Sequence, residues 1–430
     1  MADMQFSRVF LDAIGYELAP VVVTSAELEE RLRPLYEALR LVPGQLESLT
    51  GISERRWWEP GYPISRGAVQ AARNALAQSS VRPQDIGMVL YTGVCREQFE
   101  PATACRVASE LGVRPDAMIY DLSNACLGVL NGIVNVANSI ELGQVKAGLV
   151  VSCETAREIT ETMIEDMLRE RSMEKFKNSL ATLTGGSGAV AVLVTDGSFA
   201  REQRRRVAGG TSRSAPEHHN LCRWGLDTVY TLGEGMAQAA RQLLSSATHR
   251  SLTPTPVGPA GSVSGILATP ASLLRYGANQ VGGVLHAARQ LISKESNPLV
   301  RYGAGLGEGV VTTARQFMIT DPVGVLRHGV ELGTSTWKAF LSRMGWASES
   351  VDKVICHQVG ASHRNTILAA LGIPPDKDYS TYSFLGNIGT VSLPLTAALA
   401  EERDFLHSGD RVSFLGIGSG LNCLMLGIEW

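Results

Sequence analysis

The sequence predicts an α/β fold with a largely parallel or mixed sheet, laid out as two similar halves. Three observations carry that prediction. Strand-like and helix-like segments alternate through the first 200 residues. The same rhythm returns in the last 110. Between the two, a stretch rich in proline and glycine breaks the pattern.

In chain order, AVQAARNALAQS (68–79) repeats its apolar positions at helical spacing, and DIGMVLYTGV (85–94) reads as a buried strand. AMIYDLS (117–123) is a strand and LGVLNGIVNVANSIELGQ (127–144) a helix, followed by β-rich KAGLVVSCE (146–154) and SGAVAVLVTD (187–196). The second half supplies a helix over 329–345, a strand over 351–358, a helix over 361–372 and a β-pair around a glycine turn over 411–430. The division expected is an N-terminal half over 1–200 and a C-terminal half over 201–430, the latter interrupted by an insertion at about 231–320.

Within that insertion, TPTPVGPAGS (253–262) is a loop or linker, and no charge occurs from Ser251 through Leu274. Its four prolines argue against a membrane-spanning helix. A short pattern recurs as GMAQAARQLL from Gly235, GVLHAARQLI from Gly283 and GVVTTARQFM from Gly309. Each reads as an apolar-faced helix, so a helical appendage is expected, serving lipid, a partner enzyme or another subunit.

Lys plus Arg is 39 against 42 Asp plus Glu, a net charge of −3 that gives no basis for binding nucleic acid. Seven scattered cysteines without a CxxC pair indicate neither zinc nor a disulfide framework. The first residues lack a basic-then-apolar leader. A reducing, cytoplasmic setting without a transmembrane segment, metal or cofactor is the expectation.

YDLSNACLGV (120–129) puts Cys126 between a strand and a helix. Taken alone, this thiol reads either as a small core side chain or as a nucleophile at a helix N-terminus, where unpaired N–H groups would lower its pKa. Gly128 clears the first turn for a close approach. Acyl transfer also needs a proton shuttle and N–H groups aimed at an oxyanion. ICHQVG places His357 after a strand, FLGNIGT places Asn387 in a glycine-flanked turn, and LGIGSGLN offers main-chain donors around Ser419. Each could equally be structural, and His218 and His219 are rival histidines. No phosphate-binding loop of Walker or Rossmann spacing occurs.

Together and in order, NACLG, HQVG, GNIGT and GIGSG resemble the condensing enzymes of the thiolase superfamily, most closely the ketoacyl synthase III branch. The resemblance spans about 1–230 and 320–430 and implies a duplicated five-layer αβαβα thiolase-like fold acting as a dimer. VCREQFEPATA (94–104), HHNLCRWG and GVELGTSTWKAFL are similar to the subfamily that joins two fatty acyl-CoA molecules head to head. That likeness implies an acyl-Cys126 intermediate, with an oxyanion hole from the N–H groups of Cys126 and Ser419. It further implies His357 and Asn387 on the second thioester and Glu100 as a base lent by the partner subunit. The product implied is a 2-alkyl-3-oxoacyl-CoA. The competing reading is a decarboxylating 3-oxoacyl-ACP synthase III or related acyltransferase. Long-chain acyl-CoA is the substrate expected, a homodimer the assembly, with a heterodimer as the alternative and downstream pathway enzymes as further partners. Arg55, Arg56 and Trp57, with Trp58 beside them, are candidate CoA contacts.

Overall fold

The computed structural model describes residues 2–199, 205–232 and 310–430. Two units divide the chain, Met1–Asp227 with Gln316–Trp430, and Thr228–Arg315.

The strands are β1 (Ala2–Gln5), β2 (Phe10–Leu18), β3 (Val21–Thr24), β4 (Glu54–Trp57), β5 (Met88–Tyr91), β6 (Met118–Asp121) and β7 (Ala147–Glu154). They continue with β8 (Gly188–Thr195), β9 (Arg205–Ser214), β10 (Cys222–Leu232), β11 (Val310–Thr320), β12 (Lys353–Cys356), β13 (Arg411–Gly418) and β14 (Asn422–Glu429). The helices of the first half are α1 (Ser25–Arg31), α2 (Arg33–Leu39), α3 (Gln45–Thr50), α4 (Ile64–Ala77), α5 (Thr103–Leu111), α6 (Gly128–Glu141), α7 (Arg157–Glu170) and α8 (Met173–Leu183). Those of the second are α9 (Pro322–Met344), α10 (Ala361–Leu371), α11 (Tyr382–Leu385) and α12 (Ser392–Glu402).

The main sheet runs β12-β13-β14-β9-β2-β8-β7-β5-β6, with β1 on β9. It is narrowest where β2 meets β9 through only Phe10↔Arg206 and Leu11↔Arg205. On either side of that seam the pairing repeats. Strand β5 is parallel to β7, β7 antiparallel to β8 and β8 antiparallel to β2. In the same sense β12 is parallel to β13, β13 antiparallel to β14 and β14 antiparallel to β9.

Alternation along the strands builds the layers. In β8, Val190, Val192 and Val194 join one apolar cluster, while Ala189, Ala191 and Leu193 join another. The first cluster is central. It contains α6 through Val129, Leu130 and Ile133, α12 through Leu393, Leu395 and Leu399, and inward residues of both sheet halves. The second packs α4 and α5 on the outer face of the first half. A third packs α9 and α10 on the outer face of the other through Trp337, Phe340 and Leu368. Helices α6 and α12 are apolar nearly all round because sheets cover them from both sides. The succession is helix, sheet, paired helices, sheet, helix: the five-layer thiolase-like fold.

One expected element is different. The spacing from Gly309 predicts a helix, yet Val310–Thr320 is strand β11, paired with β10. Its valines and threonines are β-branched, and the extended partner supplies the ladder that a lone helix would lack. The repeats from Gly235 and Gly283, the 253–262 loop and the expected helical appendage lie outside the described residues. Among the described residues, no helix is long and apolar enough to cross a membrane.

Candidate active site

Cys126 lies in a single 3-10 turn, Ala125–Leu127, that links β6 to α6. Ala125, just before it, adopts φ 45°, a left-handed backbone that costs a non-glycine residue energy. Leu421, beyond the Ser419 turn, does the same at φ 39°. Strain on both sides of one place is the usual mark of a chemically constrained site.

Three segments converge there. The end of β13 abuts the nucleophile turn so closely that a Cβ on Gly418 would lie 3.5 Å from the Cys126 nitrogen. Ser419 therefore follows directly beside the Cys126 peptide. Asn422 Nδ2 donates to Asn124 Oδ1 at 3.3 Å, and Asn124 Nδ2 donates to Asn131 Oδ1 at 2.7 Å, tying turn to turn. From the Asn387 loop, Thr390 Oγ1 accepts the Val129 N–H at 2.7 Å, at the first turn of α6.

Asn387 is held on three sides. Its N–H donates to Thr184 O at 2.9 Å, its C=O accepts from Gly186 N–H at 2.9 Å, and its Oδ1 accepts from Gly389 N–H at 3.0 Å. With the oxygen engaged, Nδ2 keeps its two donors for another partner. Gly386 makes the approach feasible, since its φ is +70° and a Cβ there would sit 2.5 Å from Thr184 O.

His357 follows β12, and its N–H donates to Leu415 O of β13 at 2.9 Å. It is buried, its Nδ1 lacks a hydrogen-bond partner, and burial followed by the nearby His363 pushes its pKa down to about 3. The ring is neutral, so it can donate from only one nitrogen. An apolar cavity of about 20 Å³ beside it is lined by His363, Ile367 and Ile417, among others. The rival His218 stacks on His328, with ring centroids 3.9 Å apart, in an open cleft of about 680 Å³. That cleft contains none of Cys126, His357, Asn387 and Ser419.

The Cys126 thiol differs from expectation. Burial, then the neighbouring Cys222 and Glu154, push it up to about 12, outweighing its own backbone N–H, which acts to lower it. Helix-end stabilisation does not win because the sulfur is desolvated and the first-turn Val129 donor is already bonded to Thr390.

Glu100 is exposed on the loop between β5 and α5, beside Phe99, which is 89% exposed. The arginine and tryptophan assignments need correction. Arg55 is fully buried, donating to Ser25 Oγ at 3.0 Å and Val23 O at 3.5 Å. Trp57 is 2% exposed, with Nε1 donating to Gly185 O at 3.3 Å. Trp58 is equally buried, stacked on Tyr62 and donating to Glu154 O at 3.0 Å. Alternation along β4 turns Arg55 and Trp57 inward, leaving Arg56 part-exposed.

Sequence reasoning missed Glu154. It ends β7, is 4% exposed, and burial lifts its carboxyl to about 6. A glutamate closing a strand gives no sign of that burial in the sequence.

This fold with a cysteine at a central helix end defines an acyltransferase of the thiolase superfamily, ketoacyl synthase III branch. Residues 341–430 match the family model of the 3-oxoacyl-[acyl-carrier-protein] synthase III C-terminal domain. The chain is 48% identical to the acyl-CoA:acyl-CoA alkyltransferase of Shewanella oneidensis, over 99% of this chain and all of that one. It is 30% identical to the acyl-CoA:acyl-CoA alkyltransferase of Xanthomonas campestris, over the same shares. It therefore belongs to the acyl-CoA:acyl-CoA alkyltransferase (OleA) family.

Among solved structures, cerulenin-bound Xanthomonas campestris OleA superposes with a TM-score of 0.75 at 30% identity, covering 99% of this chain and 98% of that one. A cysteine-to-serine variant of the same enzyme with bound lauric acid and lauroyl-CoA gives 0.75 at 29% identity, covering 99% and 100%.

Proposed function

We propose that the protein condenses two long-chain acyl-CoA molecules head to head, without decarboxylation. Cys126 attacks the first thioester, releases CoA and keeps the acyl group as a new thioester, while the N–H groups of Cys126 and Ser419 carry the oxyanion. Since burial holds the thiol protonated, its proton is given up as the carbon–sulfur bond forms and ends on the departing CoA sulfur, so CoA leaves as the thiol. Neutral His357 and the free donors of Asn387 hydrogen-bond the second thioester's carbonyl. Glu100 of the partner subunit removes an α-proton, and the enolate attacks the acyl-cysteine carbonyl. The carbon–sulfur bond to Cys126 breaks, the thiolate regains the proton that Glu100 took, which restores both groups, and a 2-alkyl-3-oxoacyl-CoA departs. All of this chemistry comes from side chains and backbone, with CoA entering only as thioester.

The observation carrying the reading is Glu100 itself, an acid presented to solvent at the tip of an exposed loop. Edge strand β6 supports a homodimer. Among the described residues it pairs with β5 alone, and Met118 and Tyr120 on it are 38% and 37% exposed. Arg56 is the remaining candidate from β4 for CoA phosphates. The seven free thiols suit a reducing, cytoplasmic setting.

The test supplies one long-chain acyl-CoA and no malonyl donor. Two CoA released per coupled product is expected, with Glu100→Gln blocking coupling while acylation of Cys126 persists. Dependence on malonyl-ACP, or loss of both steps in Glu100→Gln, overturns the reading.

A further inference from the structure

The carboxylate of Glu154 is committed to one loop. Val94 N–H donates to Oε1 at 2.9 Å and Cys95 N–H to Oε2 at 3.1 Å. Five residues on, the same loop carries Glu100. Its far foot is held in kind, for Thr103 and Ala104 N–H donate to the Asp121 carboxylate at 3.0 and 2.9 Å. Between the feet, Glu97 accepts from Ser65 Oγ at 2.8 Å and from Arg106 Nη1 at 3.3 Å. Residues 98–101 are left as an exposed tip.

The first foot is the deeper. Tyr91 Oη lies 2.7 Å from Cys95 O and 2.9 Å from Cys153 O and shares its one hydrogen between them, tying the strand end to the loop. Glu154 also touches its own chain's site, since a Cβ on Gly389 would lie 3.5 Å from its Oε1.

We propose that Glu154 is a positioning residue for condensation in the opposite active site, because it fixes the root of the loop whose tip places Glu100 in the partner. This rests on reading Glu100 as a base lent across a dimer. Two backbone N–H groups need two acceptor oxygens, and a carboxylate offers both. In Glu154→Gln one oxygen becomes an NH₂ group facing an N–H donor, so one anchor turns repulsive. Displacing a reacting group by about 1 Å costs on the order of 100-fold in rate.

Heterodimers of two differently tagged full-length chains separate this role from a local one. In the parent pair one chain carries Cys126→Ala, leaving a single live cysteine served by the Glu100 of the Cys126→Ala chain. Glu154→Gln is then placed on either chain. On the Cys126→Ala chain it is expected to lower coupling roughly 10- to 100-fold, with acylation of the live cysteine unchanged. On the live chain, where Glu154 stands near Cys126 and Gly389, any change is expected in acylation of that cysteine, while coupling per acylated cysteine stays within about twofold of the parent. Both pairs contain the same substitutions, so a general loss of folding affects them alike. Equal losses, no loss, or loss only from the live chain overturns the proposal. A third pair with Glu100→Gln on the Cys126→Ala chain must lose coupling; if it does not, the lent-base reading has failed by itself, and visibly so.

Discussion

Replacing Gly128 with alanine tests how tightly the nucleophile is built into the fold. The added Cβ would lie 2.2 Å from Thr92 O, 0.8 Å short of the 3.0 Å below which real Cβ contacts essentially do not occur. Thr92 cannot yield. It is fully buried at the end of β5, with its N–H donating to Val151 O at 2.8 Å and its Oγ1 donating to the same oxygen at 3.2 Å. The start of α6 must move instead, carrying Cys126, two residues upstream, away from Gly418 and Ser419. Overpacking of this kind costs about 1–3 kcal/mol. A shift near 1 Å at the nucleophile lowers the acylation rate on the order of 100-fold. Single-turnover release of CoA, with the mass of the acyl-cysteine as a check, gives the rate; urea unfolding gives the stability. Acylation within twofold of the parent at unchanged stability would refute the packing argument.

Burial holds the Cys126 pKa near 12, above the ordinary thiol value, so the reactive thiolate is scarce at neutral pH and grows as pH rises. Alkylation by iodoacetamide should therefore climb about tenfold per pH unit between pH 7 and 9 without a plateau; a plateau near 7 would mean that the helix end prevails. Arg55→Met should leave KM for acyl-CoA within about twofold because the side chain faces Ser25 and Val23. Arg56→Ala should raise KM roughly tenfold through loss of a charge-assisted phosphate contact. The reverse ranking would restore Arg55 to the substrate site.

The layers are legible in the sequence because periodicity encodes them, whereas the candidate site reads as one set only through its ordered resemblance to a known family. Strands β5 to β8 and helix α6 announce themselves by spacing, and Cys126, His357, Asn387 and Ser419 sit at junctions between such elements or in glycine turns. What failed depends on burial and pairing. Arg55 and Trp57 have the chemistry of a phosphate and adenine contact, but only the pairing of β4 with β3 turns them inward. The 310–320 run suits either periodicity until β10 lies beside it. Glu154 ends an apolar strand, and no local pattern says that its oxygens meet a loop 60 residues earlier. Glu100 was legible only through resemblance, because an exposed acid on a loop has no distinguishing environment of its own.

The bond from Val129 N–H to Thr390 Oγ1 spans 261 positions. A nascent chain thus exposes its cysteine to the cell long before translation delivers the hydroxyl that seats the helix behind it. Fragments ending short of that threonine keep the cysteine but lack the hydroxyl that seats its helix, so the site as described cannot be completed in them.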